Sequence, residues 1–345
     1  MKAMQNHLDK FGRNFLVASM IPSLAFFTIT MTSLKPILSD EVKELLGSEF
    51  NPLGESGLLL VLLTVILGFT LTSLNTFIYK VFEGYVLIWR IQSLRISELK
   101  RARNMRDIHN RITKKVERLK RQDTRRAEQK RSELRATYDA LLAHYDLSFP
   151  PSEDEILPTK FGNIIKAAET YPMSRYRIDS VPVWPRLIHA MPDSYYTKVD
   201  DINNQLSFLM NCTVLALFYS LIALSVSLYF VITSLITANT VSVAAWVYFG
   251  LFIGALGISI IFLRASELVV TDYGLLIRSS FDLFRRELLR RFELAPPLTL
   301  AAEQNLWEDV CAFINIGDMR GKIKLDFEAV PSQAVHQKKD ETADS

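Results

Sequence analysis

Apolar residues in this chain are gathered into four long runs that polar stretches separate. The runs cover residues 15–34, 57–79, 210–236 and 243–263, and none of them contains an acidic or basic side chain. A helix rises about 1.5 Å per residue, so roughly 20 apolar residues are needed to cross a hydrocarbon core about 30 Å thick. The pattern therefore predicts an all-α integral membrane protein with four transmembrane helices.

The first run has the basic flank of a signal peptide, because Lys2, Lys10 and Arg13 precede it. Its apolar core is longer than that of a signal peptide, and no small-residue cleavage site follows it. We therefore predict a membrane anchor that is retained. Pro22 lacks a backbone N–H and is expected to kink this helix.

The charges that flank the runs predict the orientation of the chain. The segment between the first two runs is acidic, with five Asp and Glu residues around Lys43, and the short turn at residues 237–241 carries no charge. Lys and Arg are concentrated before the first run and after the second and fourth. Because positive flanks stay on the cytosolic side, we predict two hairpins whose turns face outward. Both termini then lie in the cytosol, and the membrane is a bacterial inner membrane.

Shifts in composition divide the chain into seven parts. These are an N-terminal cytosolic tail (1–14), a first transmembrane hairpin (15–79), a basic cytosolic helical arm (80–147), a cytosolic module rich in proline and aromatic residues (148–205), a second transmembrane hairpin (206–263), cytosolic amphipathic helices (264–329) and a polar tail with the composition of a disordered segment (330–345).

The arm is predicted to be helical because residues 80–145 contain no proline and are rich in good helix formers. Apolar residues recur there at three- and four-residue steps, as a narrow packing stripe or coiled coil requires. The stripe consists of Met105, Ile108, Ile112, Val116 and Leu119. The pattern allows one long helix or two helices with a break near residues 120–130.

The most basic part of the arm is residues 118–135, RLKRQDTRRAEQKRSELR, with eight basic and three acidic residues. A solvated helical surface is the simplest interpretation, and a surface that binds an acidic partner or lipid is the alternative. Nucleic-acid binding is disfavoured because no aromatic side chains are interleaved for base stacking.

The module after the arm contains a candidate binding site for an anionic ligand or a partner. Prolines and aromatic residues crowd residues 157–187, so a single helix is excluded and a compact, irregular fold is predicted. The candidate residues combine cationic, aromatic and acidic side chains: Arg175, Tyr176, Asp179, Trp184 and Arg186. The competing interpretation is a purely structural segment that connects the arm to the third span.

Residues after the fourth span predict two further helices. Residues 271–294 alternate aromatic or leucine positions with arginines, which is typical of an amphipathic helix at a membrane surface or on a cytosolic module. Ala295, Pro296 and Pro297 end it, and a short helix is expected at residues 300–314.

Uncharged polar residues within the spans predict helix packing. Thr28, Thr30, Thr32, Thr70, Thr72, Ser73 and Asn75 are expected to form hydrogen bonds between helices. Gly250 and Gly254 form a GxxxG pair, which favours close approach of another helix, either within the chain or in a second copy. A homo-oligomer is expected in the lipid bilayer.

Several stretches together resemble a recurring kind of bacterial four-span membrane protein. They are LPTKFGN, RYRIDSVPVWPRL, FDLFRRELL and EQNLWEDV, and the resemblance covers most of the chain. It implies the four-span layout and carries no activity, substrate or catalytic residue.

Sequence signatures of catalysis are lacking. The chain has no phosphate-binding loop, GxSxG, HExxH or CxxC string, and its two cysteines and five histidines do not have metal-site spacing. We therefore predict no cofactor, no metal and no enzymatic activity. A membrane scaffold or sensor whose arm and module bind a partner or signal is the leading interpretation. The alternatives are a gated pore or membrane-disrupting effector, for example in bacterial defence, and a membrane-bound enzyme.

Overall fold

The regular elements of this chain are all helices wherever the structure, a computed structural model, describes it. It describes residues 12, 14–38, 55–86, 92–120, 125–237, 240–317 and 325. The helices are α1 (Leu16–Leu34), α2 (Glu55–Ser73), α3 (Asn75–Glu83), α4 (Gln92–Lys120), α5 (Arg125–Ser148), α6 (Lys160–Tyr176), α7 (Ser180–Ala190), α8 (Asp193–Thr237), α9 (Val243–Arg291) and α10 (Leu300–Ile316). Most of the N-terminal tail of residues 1–14 and the whole tail of residues 330–345 lie outside the described residues.

Three helices, α1, α8 and α9, are long and apolar enough to cross a membrane. A fourth span arises only if Gly57–Ser73 and Asn75–Glu83 are counted together, and these segments are bent by 55° at Leu74. The described residues thus contain three apolar helices of spanning length and a broken fourth candidate. The predicted count of four spans stays a prediction.

Two of these helices extend well beyond the apolar runs. Helix α8 has 45 residues and begins at Asp193, and α9 has 49 residues and ends at Arg291. The amphipathic segment after the fourth run is therefore a continuation of α9, because no proline occurs between residues 243 and 291 to end the helix. The short helix after Pro297 is confirmed as α10.

The chain divides into two compact units. The first comprises Met1–Ala168 with Asp193–Ile277, and the second comprises Glu169–Pro192 with Arg278–Ser345. The first unit contains α1 to α5, the whole of α8, the first part of α6 and the apolar part of α9. The second contains α7, α10 and the C-terminal ends of α6 and α9.

The arm is a helical hairpin of α4 and α5, so the two-helix alternative is the correct one. The rings of His109 and Tyr138 lie 4.2 Å apart between centroids, and Arg106 donates to the Tyr145 hydroxyl at 2.8 Å, so the helices run antiparallel. Ile108 was predicted to lie in the packing stripe but is 47% exposed. His109 takes its place, because the half-buried positions of α4 step by three and four from Ala102.

The proline-rich segment is more regular than predicted. It forms two helices, α6 with Pro172 and α7 with Pro185 inside them. The prediction that this segment is not a single helix is correct. Arg177 adopts a left-handed backbone conformation at φ 59°, and α6 ends just before it. The Asp179 side chain then accepts a hydrogen bond from the Val181 N–H and starts α7.

Candidate functional site

The beginning of α1 contains a helix irregularity with a specific partner. Leu16–Met20 is a π-helical turn, and Pro22 follows it. In an α-helix the Ala18 carbonyl would accept from the N–H of residue 22, which proline lacks. The Asn211 side chain of α8 supplies the missing donor, because its Nδ2 donates to the Ala18 carbonyl at 2.8 Å. A side chain from a neighbouring helix thus satisfies the backbone, as a nonaqueous interior requires.

The break between α2 and α3 faces the same helix. Asn75, the first residue of α3, donates through Nδ2 to the Ser207 hydroxyl at 3.4 Å. Further along α3, the Tyr79 hydroxyl donates to Oδ1 of Asn203 at 2.8 Å. The irregular parts of two apolar segments therefore both contact α8 through polar groups.

The α8 residues that make these contacts form one polar face together with Asn204. Asn203, Asn204, Ser207 and Asn211 recur at three- and four-residue steps, which places them on one side of a helix. We call these four residues the polar face of α8. This face is not among the features predicted from the sequence, because most of it precedes the apolar run that begins at residue 210, although the spacing in NNQLSFLMN is a signal for it.

The predicted hydrogen bonds between helices are only partly correct. The Thr72 hydroxyl lies 3.0 Å from that of Ser19, and Asn75 contacts Ser207, so both join different helices. The hydroxyls of Thr28, Thr32 and Thr70 instead donate to the carbonyl four residues earlier in their own helix. A threonine hydroxyl in a helix can bond to that carbonyl, so its polarity alone does not indicate a partner helix.

Gly250 and Gly254 do not pack tightly within the chain. A Cβ added at either position would meet nothing within 4 Å. Both glycines line an apolar groove of about 750 Å³ to which α1 and α8 also contribute, among others through Phe26 and Leu215. Among the described residues, the predicted close approach of another helix is therefore not made within the chain, and its alternative, a contact with a second copy, stays a prediction.

The base of the arm is fastened by charged and polar contacts. Arg103 and Arg106 both bind the Glu153 carboxylate, at 2.8 and 2.9 Å. The hydrogen bond from Arg103 lowers the pKa of the Glu153 carboxyl below its ordinary value. Arg95 donates to the carbonyls of Asp154 and Ile156. The arm therefore begins from an anchored base.

The same base also contacts the end of α3. The Thr159 hydroxyl donates to the Phe82 carbonyl at 2.7 Å. Gly162 lies so close that an added Cβ would be 2.1 Å from the Glu83 carbonyl oxygen. The Asn163 amide donates to Glu98 of α4 at 3.3 Å. Through the start of α6, these contacts link the hairpin to the broken apolar segment.

The distal half of the arm, residues 111–135, is strongly basic, with 11 Lys and Arg against 4 Asp and Glu. In the described part of this half, one ion pair forms, between Arg131 and Glu128 at 3.9 Å. Lys114, Lys115 and Arg118 are exposed. Most of the positive charge on the described side chains of this half is therefore available to a partner.

The second unit contains a closed network of charged and aromatic side chains. The Tyr176 hydroxyl donates to Asp282 at 2.6 Å, and the Tyr171 hydroxyl donates to the same carboxylate. The guanidinium of Arg285 lies 4.0 Å from the centre of the Tyr176 ring and binds Glu303 at 2.8 Å. Burial and the hydrogen bond to Asp282 raise the pKa of the Tyr176 phenol. These side chains satisfy one another, as in a structural core.

The structure distributes the five predicted site residues over separate contacts. Arg175 lies 5.3 Å from the Tyr171 ring centre, and Tyr176 joins the network above. Asp179 caps α7 and accepts from Asn315, Trp184 packs 6.1 Å from Phe281, and Arg186 donates to the Pro182 carbonyl of its own helix. These contacts favour the structural interpretation of the segment, and the predicted anion site stays a prediction.

Metal chemistry finds no support in the described part of the chain, where no three His, Cys, Asp or Glu residues are grouped as ligands. No protein-family model, no curated protein and no solved structure matches this chain. The resemblance to bacterial four-span proteins accordingly stays a prediction, and function has to be argued from the geometry.

Proposed function

We propose that this chain is a non-enzymatic, multi-pass inner-membrane scaffold or sensor whose basic helical arm docks onto an acidic surface of a cytosolic protein. In this proposal the apolar segments cross the bilayer as two hairpins, with α2 and α3 forming one broken span. The termini, the arm and the second unit lie in the cytosol.

The observation that supports this function most is the contrast within the arm. Its base is held by Arg95, Arg103, Arg106 and Asn163, whereas its distal half has a large excess of exposed positive charge. Helix α4 alone has 29 residues, so the hairpin extends over roughly 40 Å. An anchored base with a charged, extended end is suited to reach and hold a partner.

The partner's chemistry follows from the charge and from the lack of interleaved aromatic residues. Lysines and arginines spaced along a helix complement carboxylates on a protein surface, and long-range attraction between such surfaces accelerates association. The attraction should fall with ionic strength, because the screening length is about 8 Å at physiological salt.

Site-specific photocrosslinking in native membranes tests the proposal. A benzophenone side chain at Lys115, in the distal half, should form a discrete protein adduct that Lys114→Glu abolishes and high salt weakens. Lys100, which is exposed near the base, is the matched control and should form little of this adduct. The docking function is wrong if position 115 forms no protein adduct. It is also wrong if positions 100 and 115 form the same adduct and Lys114→Glu does not change it.

A gated pore or membrane-disrupting effector is the second candidate function. It is favoured by the broken span and the π-helical turn, both of which contact the polar face of α8. Overexpression should then depolarise cells, and Asn75→Leu should suppress the depolarisation. Normal membrane potential during overexpression would exclude this candidate.

A further inference from the structure

We propose that the polar face of α8 binds an alkali-metal cation through the side-chain oxygens of Asn75 and Asn211. This site goes beyond the docking function of the arm and does not depend on it.

The orientation of the Asn211 amide leaves its oxygen available. Asn211 is 1% exposed, and its Nδ2 donates to the Ala18 carbonyl at 2.8 Å and approaches the Ser19 hydroxyl at 3.4 Å. A carbonyl can only accept, so the nitrogen must face α1 and the oxygen must face away. That Oδ1 is buried and has no hydrogen-bond donor among the described residues.

The Asn75 amide is fixed by a similar argument. The Ser207 hydroxyl donates to the Asn203 carbonyl at 3.0 Å, so it accepts the hydrogen bond from Nδ2 of Asn75. Oδ1 of Asn75 is then also a buried acceptor without a donor among the described residues. Asn75 contacts Ser207, which lies one helical turn before Asn211. The side-chain amides of Asn75 and Asn211 are therefore next to the same part of α8.

A third amide on this face has an open hydrogen-bonding position. Nδ2 of Asn204 is buried and has no partner in the described part of the chain. Asn204 lies seven residues before Asn211, on the same side of the helix. Because the oxygen and nitrogen of an amide exchange by a half-turn of the side chain, Asn204 can also present an oxygen to a cation.

Oxygen ligands and a nearby carboxylate favour a cation over an anion at this site. Helix α2 ends at Ser73, two residues before Asn75, so its last carbonyls lie near the site, whereas the N-terminus of α3 at Asn75 offsets the negative end of the α2 dipole. Asp200 lies on the same side of α8, one turn before the polar face. Side-chain and backbone oxygens at broken helices are the ligands that membrane proteins use for Na⁺.

Binding of radioactive ²²Na⁺ and ⁸⁶Rb⁺ to the full-length protein in lipid nanodiscs tests the site. We expect saturable binding of at least one of the two ions, a loss of affinity of tenfold or more in Asn75→Leu, and tighter binding in Asn75→Asp. Thr70→Val is the matched control, because the Thr70 hydroxyl donates within its own helix one turn before the break. Its affinity should equal that of the wild type.

A thermal measurement keeps the proposal falsifiable if a variant is poorly folded. The unfolding midpoint of the wild-type protein should rise with NaCl or KCl at constant ionic strength, with N-methyl-D-glucamine chloride as the replacement salt. Asn75→Leu should abolish that rise without changing the oligomeric state. If the wild type binds neither isotope saturably, or Asn75→Leu leaves binding unchanged, the cation site is wrong and water alone satisfies these oxygens.

Discussion

The arm and the apolar helices of the first unit have opposite arrangements of polar and apolar side chains. In the arm, apolar and aromatic residues such as Tyr138 and Tyr145 are half-buried between the helices, and charges cover the outside. In the apolar helices, Ser23 and Asn211 are buried, whereas Ile236 and Val243 are each 79% exposed. A charged exterior suits water and an apolar exterior suits hydrocarbon, so the contrast is consistent with helices that are long and apolar enough to cross a membrane.

The surroundings also change how much a single polar contact contributes to the free energy of unfolding. In the arm, a broken ion pair can be replaced by water, so individual charges contribute little. Inside the apolar helices, a donor or acceptor that loses its partner has no water to replace it, and the cost is larger. Substitutions that remove a polar contact should therefore destabilise the protein more in the apolar helices than in the arm.

The largest effect is expected where the two regions meet, at Gly162. In Gly162→Ala the new Cβ would overlap the Glu83 carbonyl, which is backbone and cannot move aside cheaply. We expect a loss of about 3 kcal/mol in the free energy of unfolding, or failure to accumulate in the membrane. Thermal unfolding of the purified protein measures it.

Gly274→Ala is the matched control for that substitution. An added Cβ there would lie 3.4 Å from the Ile164 side chain, which is ordinary contact. It should leave the unfolding midpoint unchanged or slightly raised, because Ala favours a helix more than Gly does. Equal destabilisation by both variants would contradict a specific role for the junction with Glu83, because helix propensity favours Ala at both positions.

The second effect concerns polar groups inside the apolar helices. Asn211→Leu keeps a similar side-chain volume but leaves the Ala18 carbonyl without its donor, so we expect a loss of about 2 kcal/mol. In the control Ser220→Ala the lost hydroxyl donates within its own helix to Leu217, and the loss should be well below that. A stable Asn211→Leu protein would contradict the assignment of a nonaqueous interior.

The third effect concerns the packing stripe of the arm. Tyr138→Ala removes a half-buried ring that stacks on His109, and we expect a loss of about 1.5 kcal/mol in the local stability of the hairpin. Ile108→Ala should change little, because Ile108 lies outside the stripe. Amide hydrogen exchange of α4 and α5 compares the two variants, and a greater loss in Ile108→Ala would mean that the register of the hairpin is different.

The smallest effect is the pH dependence of the arm base. The pKa of Glu153 is lowered in the folded protein, so its contribution to stability is present above the ordinary value of 4.5 and is lost as pH falls through the lowered value. The protection of amides at the base of α4, taken relative to their intrinsic exchange rate at each pH, should therefore fall below about pH 4.5 in the wild type. In Glu153→Gln this fall should be smaller, and an identical pH profile of the protection would rule out this role.

The sequence was sufficient for the coarse architecture and insufficient for the site. Continuous apolar runs predicted α1, α8 and α9, since hydrophobic length is a direct requirement of a bilayer. The helical character of the arm followed from composition, but Ile108 was misplaced because several stripes with three- and four-residue steps fit the same residues.

The polar face of α8 could be predicted only in part. Its spacing is visible in the sequence, but its partners depend on a π-helical turn before Pro22 and a bend at Leu74. Pro22 predicts an irregularity in α1, but the residue that contacts it, Asn211, is distant in sequence, and no proline marks the bend at Leu74. The contacts of Asn75 and Asn211 became identifiable only with the structure.

The central claim is that the apolar helices cross a membrane and present the arm to the cytosol. Labelling with a membrane-impermeant maleimide tests it directly, in a protein whose Cys212 and Cys311 are replaced by Ala and which carries one cysteine at either Lys114 or Thr240, both of which are exposed. We expect Thr240→Cys to be labelled in spheroplasts and Lys114→Cys to be labelled only in inverted membrane vesicles. Labelling of both positions from the same side would contradict the account.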